Sequence, residues 1–222
     1  LTKKTIVYNF RQNDLKNGGE GAPLAPVFHR LIVKQKKIEL PVCILNIGGI
    51  SNVTAIDEHD DNSFFSRDLG PGNCLIDEWI RKNTKNKFDN NGEIAKQGKT
   101  NDLILNQALD NFDNKFNQKI LTFDVKDFGL SFVRGLNLED GAATLTDFTG
   151  EIIGVELFNF LHKKKDKLWR VLVCGGGRKN KTLIEKIKCK TPKNLIIQSI
   201  DDYGINGDFV ESQAFAYLAI RS

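Results

Sequence analysis

The chain has 222 residues, 40% hydrophobic and 27% charged, with a formal net charge of +4. This is a soluble globular composition, enough for one large domain or one and a half smaller ones. No apolar run approaches the roughly 18 residues of a membrane span. No secretory pattern opens the chain, and its lysines are interspersed with acids, so neither a membrane nor a nucleic acid is expected as partner.

The clearest basic run, Lys163-Lys164-Lys165, stands at a predicted helix end, where positive charge suits the macrodipole. Cys43, Cys74, Cys174 and Cys189 lack metal-ligand spacing. Cys43 and Cys174 sit in apolar runs, as buried thiols do, which favours a reducing cytoplasm over a disulfide scaffold. His29, His59 and His162 form no cluster, and His29 reads as structural or as part of a site wall. The chain begins at Leu1 and contains no Met. Either its start has been removed or it is a piece of a longer polypeptide.

Taken in order, Thr5–Phe10 reads as a strand. A glycine-rich loop follows, Arg11 to Leu24, with Asp14, Gly18, Gly19 and Gly21. Loops at strand ends are where α/β proteins put their chemistry, although an Asp that only orders a turn is common. Ala25–Lys36 reads as a helix. Residues 41–47, 51–57 and 63–67 read as a three-stranded meander. Between its first two strands lies Asn46-Ile47-Gly48-Gly49-Ile50-Ser51-Asn52. Two adjacent glycines there make a tight hairpin and let a ligand approach the backbone closely. Taken alone, an ordinary hairpin accounts for them.

A second glycine loop, Asp68-Leu69-Gly70-Pro71-Gly72-Asn73, leads into a helix at 72–82. Leu75, Ile76, Trp79 and Ile80 form its apolar side, and Asp77 and Glu78 are its acids. Residues 83–101 read as a polar surface excursion. Residues 102–121 read as a helix with Leu103, Leu105, Ala108, Leu109 and Phe112 as its apolar residues, and 122–139 as irregular. Ala142–His162 is the strongest helix, with apolar residues at helical spacing. Arg170–Cys174 is a buried strand that runs into Gly175-Gly176-Gly177-Arg178 and a further helix. This corner suits a nucleotide, and a glycine turn without ligand accounts for it equally well. Leu195–Ile197 is a short strand. Asp208 is expected to cap a last helix, with Glu211 at the capping-box position.

From residue 41 the order is β-β-β-α, an insertion, then α-β-α-β-α. That is the ribonuclease-H-like half-domain of the sugar-kinase, actin and heat-shock superfamily, an α/β fold with a mixed sheet and flanking helices. Residues 1–40 read as the end of a first half-domain and 41–222 as the second, with a surface insertion at about 83–139. Neither glycine element has the G-x-G-x-x-G order of a dinucleotide site.

Several motifs in one order resemble the anhydro-N-acetylmuramic acid kinases over nearly the whole chain. They are Phe10-Arg11-x-x-Asp14 with Gly18-Gly19-x-Gly21-Ala22-Pro23-Leu24; the Asn46–Asn52 hairpin; Asp68-x-Gly70-Pro71-Gly72-Asn73 with Asp77; Ala143-Thr144-Leu145-Thr146; Cys174–Gly177 with Asn180; and Asp208-Phe209-Val210-Glu211 with Ala214-Phe215-Ala216. The resemblance implies ATP-dependent opening of the 1,6-anhydro ring of 1,6-anhydro-N-acetylmuramic acid. Its product would be N-acetylmuramic acid 6-phosphate, an intermediate of peptidoglycan recycling. It implies Asp14 as general base toward water, and an ionised carboxylate can serve so within hydrogen-bond reach. Arg11, Gly18, Gly19 and Gly21 would shape the sugar loop, with Glu211 touching the sugar or only capping its helix. Asn46, Gly48, Gly49, Ser51 and Asn52 would form a phosphate loop. Gly70, Gly72, Asn73 and Asp77 would line the cleft between sugar and phosphates. Gly175, Gly176, Gly177 and Asn180 would form the adenosine corner. ATP with Mg²⁺ and a homodimer are implied as well.

The chain departs from the family pattern in three places. Nothing like the family's N-terminal Gly-Thr-Ser-x-Asp-Gly phosphate loop precedes Leu1. Glu20 stands where Gln is common, and Lys119-Ile120-Leu121-Thr122 where Pro-Pro-Lys-Ser is frequent. Two alternatives follow: a truncated, non-catalytic remnant that binds only nucleotide or a partner, and a kinase of another amino sugar.

Overall fold

A computed structural model describes residues 6–18, 21, 24–57, 64–116, 122–161, 168–192 and 194–221. Gly19, Glu20, His59, Lys119–Leu121, His162 and Lys163–Lys165 lie outside them.

The apolar run Val42–Leu45 is what a strand covered on both faces requires. It forms β1 (Val42–Ile47), the centre of a five-stranded sheet ordered β3-β2-β1-β4-β5. β2 is Ile50–Ile56, β3 is Phe64–Pro71, β4 is Trp169–Cys174 and β5 is Leu195–Ser199. β1, β2 and β3 pair antiparallel, and β4 and β5 continue parallel to β1. That topology is the ribonuclease-H-like arrangement expected from the element order.

Side chains alternate across the sheet. Cys43, Leu45 and Ile47 face one core with α3 (Cys74–Asn83), α6 (Leu138–Leu161) and α7 (Lys181–Lys190). Val42 and Ile44 face a second core, which Ile32 and Val33 of α2 (Pro26–Gln35) and Val210 of α8 (Val210–Arg221) complete. The predicted apolar faces hold for α3, where Leu75, Ile76, Trp79 and Ile80 are all buried. Cys43 and Cys174 are buried and not in disulfides, as expected.

Five expectations need correction. Residues 6–9 form no strand, and Ile6 and Tyr8 are exposed; α1 (Phe10–Lys16) begins immediately after. A strand must pair its backbone polar groups, and the sheet offers residues 6–9 no partner. The second glycine loop is largely strand: β3 runs to Pro71, with Gly70 opposite Ser51 and Pro71 opposite Ile50. Pro is tolerated there because β3 is an edge strand. Residues 83–101 are not merely a solvated excursion. They contain a 3₁₀ turn and α4 (Glu93–Gln97), anchored by buried Asp89, whose carboxylate accepts the Ile94 and Ala95 N–H groups. In α5 (Asp102–Phe116), Leu103 points to solvent while Phe112 stacks on Phe128 and meets Phe148 edge-on. Finally, α8 starts at Val210, and the Asp208 carboxylate is held by Arg178 and Lys179. Those two cations outweigh a capping bond.

Candidate functional site: two clefts joined at a hairpin

The strand register builds the first cleft. Asn46 lies opposite Asn52, and Asn52 opposite Asp68, so three polar residues stand in a row across β1, β2 and β3. A β-bulge between Ser51 and Asn52 shifts the β2–β3 pairing at this point. The row opens onto a cleft of about 240 Å³. Arg11 and Gly21 line one side of it, Glu211 and Phe215 of α8 another, and Gly48 and Gly49 the hairpin end. Thr122 and Phe123 close over it, because the Phe123 N–H donates to Asp68 Oδ2 at 2.8 Å. Burial raises the Asp68 pKa, against the lowering pull of that N–H and of the Arg11 charge.

Asp14 does not line this cleft. It is half-buried, and its Oδ2 accepts the Gly21 N–H at 2.8 Å. Gly18 and Gly21 both take positive φ, which lets the chain turn back onto α1. Ser51 lies inside the sheet with its hydroxyl donating to the Gly70 and Pro71 carbonyls. It braces the hairpin from within.

His29 forms a buried part of the same wall, with Nδ1 2.8 Å from Thr54 Oγ1. Burial lowers its pKa from 6.5 to about 4. The native state therefore disfavours the protonated ring, while the unfolded chain takes up a proton readily below pH 6.5. Stability is complete above that pH and is lost as pH falls toward 4. At pH 5 the loss is expected to be about 2 kcal/mol. In His29→Gln, urea unfolding at pH 7 and pH 5 should differ by that much less than in the wild type.

The hairpin clasps the start of α3. Gly48 O accepts from the Asn73 N–H at 2.7 Å and from Asn73 Nδ2 at 3.2 Å. Gly49 O accepts from the Gly72 and Cys74 N–H groups at 2.9 and 3.2 Å. The Gly72, Asn73 and Cys74 amides, which could have held an anion at the α3 N-terminus, are thus already used. Asn73 also borders a second cleft of about 430 Å³, with Asp77, Phe88, Gly176, Lys179 and Asn180. The Asn180 side chain accepts the Leu183 N–H and caps α7. Gly175 adopts φ +80, and a Cβ on it would come within 3.0 Å of the Ile47 carbonyl. It and Gly177, whose Cβ would strike the Ile47 side chain, let the β4–α7 corner pack tightly on β1. Arg178, almost wholly buried, braces this corner through Asp201, Asp208 and the Gly175 carbonyl.

Sequence-predicted residues divide between the clefts. Arg11, Gly21 and Glu211 line the first together with Asn46, Gly48, Gly49 and Asn52. Asn73, Asp77, Gly176 and Asn180 line the second. Asp77 therefore sits on the side of the glycine corner. Ser51, Gly70, Gly72, Gly175 and Gly177 lie behind these surfaces, and Gly18 is exposed but lines neither cleft. Sequence reasoning did not single out Asp68 or Phe88 as site residues. Asp68 had a signal, since it lies across from Asn52 once the meander is paired. For Phe88 the signal was one large aromatic within a polar run.

The sequence model of the family described as anhydro-N-acetylmuramic acid kinase matches residues 1–222. The chain is 56% identical over 222 residues to an anhydro-N-acetylmuramic acid kinase of Pelagibacter ubique, covering 100% of this chain and 59% of that one. The chain belongs to the anhydro-N-acetylmuramic acid kinase family. A member from Zymomonas mobilis is 38% identical, covering 99% of this chain and 58% of its own length. One from Caulobacter vibrioides is 35% identical, covering 100% and 57%. The chain thus spans less than two thirds of these kinases. Among solved structures, the activator of the 2-hydroxyisocaproyl-CoA dehydratase from Clostridium difficile with bound ADPNP aligns at 14% identity. The TM-score is 0.46, over 88% of this chain and 68% of that one. Among the described residues, no helix is long and apolar enough to cross a membrane.

Proposed function

We propose that this chain supplies the second half-domain, and the end of the first, of an ATP-dependent kinase acting on 1,6-anhydro-N-acetylmuramic acid. The reaction opens the 1,6-anhydro ring and gives N-acetylmuramic acid 6-phosphate in cytoplasmic peptidoglycan recycling. The observation that carries this reading is the junction of the two clefts. Gly48 lines the first, and Asn73, hydrogen-bonded to it, lines the second. A nucleotide in the second cleft would direct its terminal phosphate over the hairpin toward a sugar in the first.

In this reading Asp14, given this role by the family motif although it is not among the residues lining the first cleft, removes a proton from a water that attacks the anomeric carbon. The bond from that carbon to the bridging oxygen breaks, and the freed oxygen takes the γ-phosphoryl group, with ADP leaving. Arg11 and Glu211 hold the sugar, and Asn46 and Asn52 face the reacting groups. A division near residue 41 is one of chain order, since α2 is docked on the second half-domain. A homodimer follows from the same resemblance.

Among the described residues no three His, Cys, Asp or Glu side chains converge on one point. Mg²⁺ is usually held by one or two carboxylates plus substrate phosphates. Asp68, in the first cleft, is the carboxylate placed to contribute. The ion would neutralise charge on the transferring phosphoryl group.

The test is ADP release by the full-length native polypeptide. With ATP, the anhydro sugar should support turnover, while N-acetylmuramic acid and N-acetylglucosamine should not. A preference for either open sugar would replace the substrate. ATP binding without turnover on any of them would leave a non-catalytic nucleotide-binding remnant.

A further inference from the structure

The second cleft gathers three kinds of group. Asn73 stands against the hairpin, its Nδ2 donating to the Ile47 and Gly48 carbonyls, with Gly176 in the same lining. Asp77 is one helical turn further along α3: its N–H donates to the Asn73 carbonyl at 2.8 Å, a step of about 6 Å. Phe88, 55% exposed, lines the cleft as well, with its chain neighbours Asp89, Asn90 and Asn91.

The two carboxylates of this cleft are not equivalent. Asp89 is buried, and both its oxygens are occupied by the Ile94 and Ala95 N–H groups. Asp77 is half-buried and accepts no protein hydrogen bond among the described residues. An acceptor-only group so placed calls for a donor from a ligand. Burial is the main cause that pushes its pKa up to about 6, with Asp89 adding to the rise and Arg81 opposing it. It is still largely ionised at neutral pH. An exposed ring in the same cleft suits a flat apolar partner.

We propose that Asp77 receives the ribose 2′- and 3′-hydroxyls of the nucleotide and that Phe88 carries the face of its base. A carboxylate for the ribose and an aromatic ring for the base then share one cleft, with Asp77 one helical turn from the residue that clasps the hairpin. Two adjacent hydroxyls can donate to the two oxygens of one carboxylate. A base presents a π-face to the ring whatever its edge groups. The inference rests on the nucleotide reading above and assigns the residues that read the nucleoside. It moves Asp77 from the cleft between sugar and phosphates to the nucleoside.

The test is calorimetric titration of the full-length polypeptide with ATP, 2′-deoxyATP and 3′-deoxyATP. The wild type should bind ATP roughly tenfold or more tightly than either deoxy analogue, as charged hydrogen bonds warrant. Asp77→Ala should weaken ATP to the level of the analogues and erase the preference. Phe88→Ala should weaken all three by about tenfold and keep the preference. Thermal melting of each variant establishes that it is folded. Equal affinity of the wild type for all three nucleotides overturns the assignment without any variant. A preference that survives in Asp77→Ala overturns the role of Asp77, and unchanged affinity in Phe88→Ala that of Phe88. No binding of ATP by the wild type would overturn the kinase reading itself, and this assignment with it.

Discussion

Asp14→Asn in the full-length polypeptide is expected to lower turnover of the anhydro sugar by roughly 10²–10⁴ while leaving ATP affinity unchanged. Asn is the informative replacement because of what Asp14 does structurally. Its Oδ2 accepts the Gly21 N–H and ties the glycine-rich turn to α1. The amide oxygen of Asn can accept the same bond, so the loop stays in place. What is lost is the ability to take a proton from water. Asp14→Ala removes both functions, and it should raise KM for the sugar as well as lower kcat. The split between the two variants, read by steady-state kinetics, separates chemistry from loop geometry. Full turnover in Asp14→Asn would remove Asp14 from the proton transfer and leave it only the tether.

Gly72→Ala should destabilise the protein by about 3 kcal/mol, whereas Gly48→Ala should change stability far less. Both glycines belong to motifs that the resemblance assigns to nucleotide binding. Their surroundings differ. A Cβ on Gly72 would lie within 3.0 Å of the Gly48 carbonyl oxygen, a backbone atom already engaged by Asn73. It cannot move without opening the hairpin clasp on α3. A Cβ on Gly48 would meet the Ile50 carbonyl at 3.5 Å, an ordinary contact. Urea unfolding of the two variants would show the difference. Equal, small losses would mean that the clasp yields easily and that Gly72 faces a ligand after all. A stable Gly48→Ala protein with weakened ATP binding would point to close approach of phosphate at that turn.

Much of the architecture was legible because it rests on local pattern. The run Val42–Leu45 reads as the first strand of a meander, and its pairing with the segment after it follows from two glycines at 48 and 49. The α3 face of Leu75, Ile76, Trp79 and Ile80 repeats at helical spacing, and all four are buried. Errors arose where a residue's partner is distant in sequence. Residues 6–9 have strand-like composition, but a strand exists only if another pairs with it. Asp208 has the look of a cap, but Arg178 and Lys179, about thirty positions earlier, claim its carboxylate.

The site divides in the same way. Family membership, the glycine elements and the candidate residues were all present in the amino-acid order. Which glycines face a cleft and which serve only close packing was decided by the tertiary structure. Gly72, Gly175 and Gly177 carry no side chain because the hairpin and β1 occupy the space a Cβ would need. Ser51 is turned inward because its hydroxyl must satisfy the carbonyls of β3 at the bulge. The register of three strands gathers Asn46, Asn52 and Asp68, and the turn of α3 sends Asp77 into the other cleft from Asn52. Local sequence determines which backbone shapes are available. Where a side chain ends up depends on contacts between segments tens of residues apart, and only the folded chain brings those segments together.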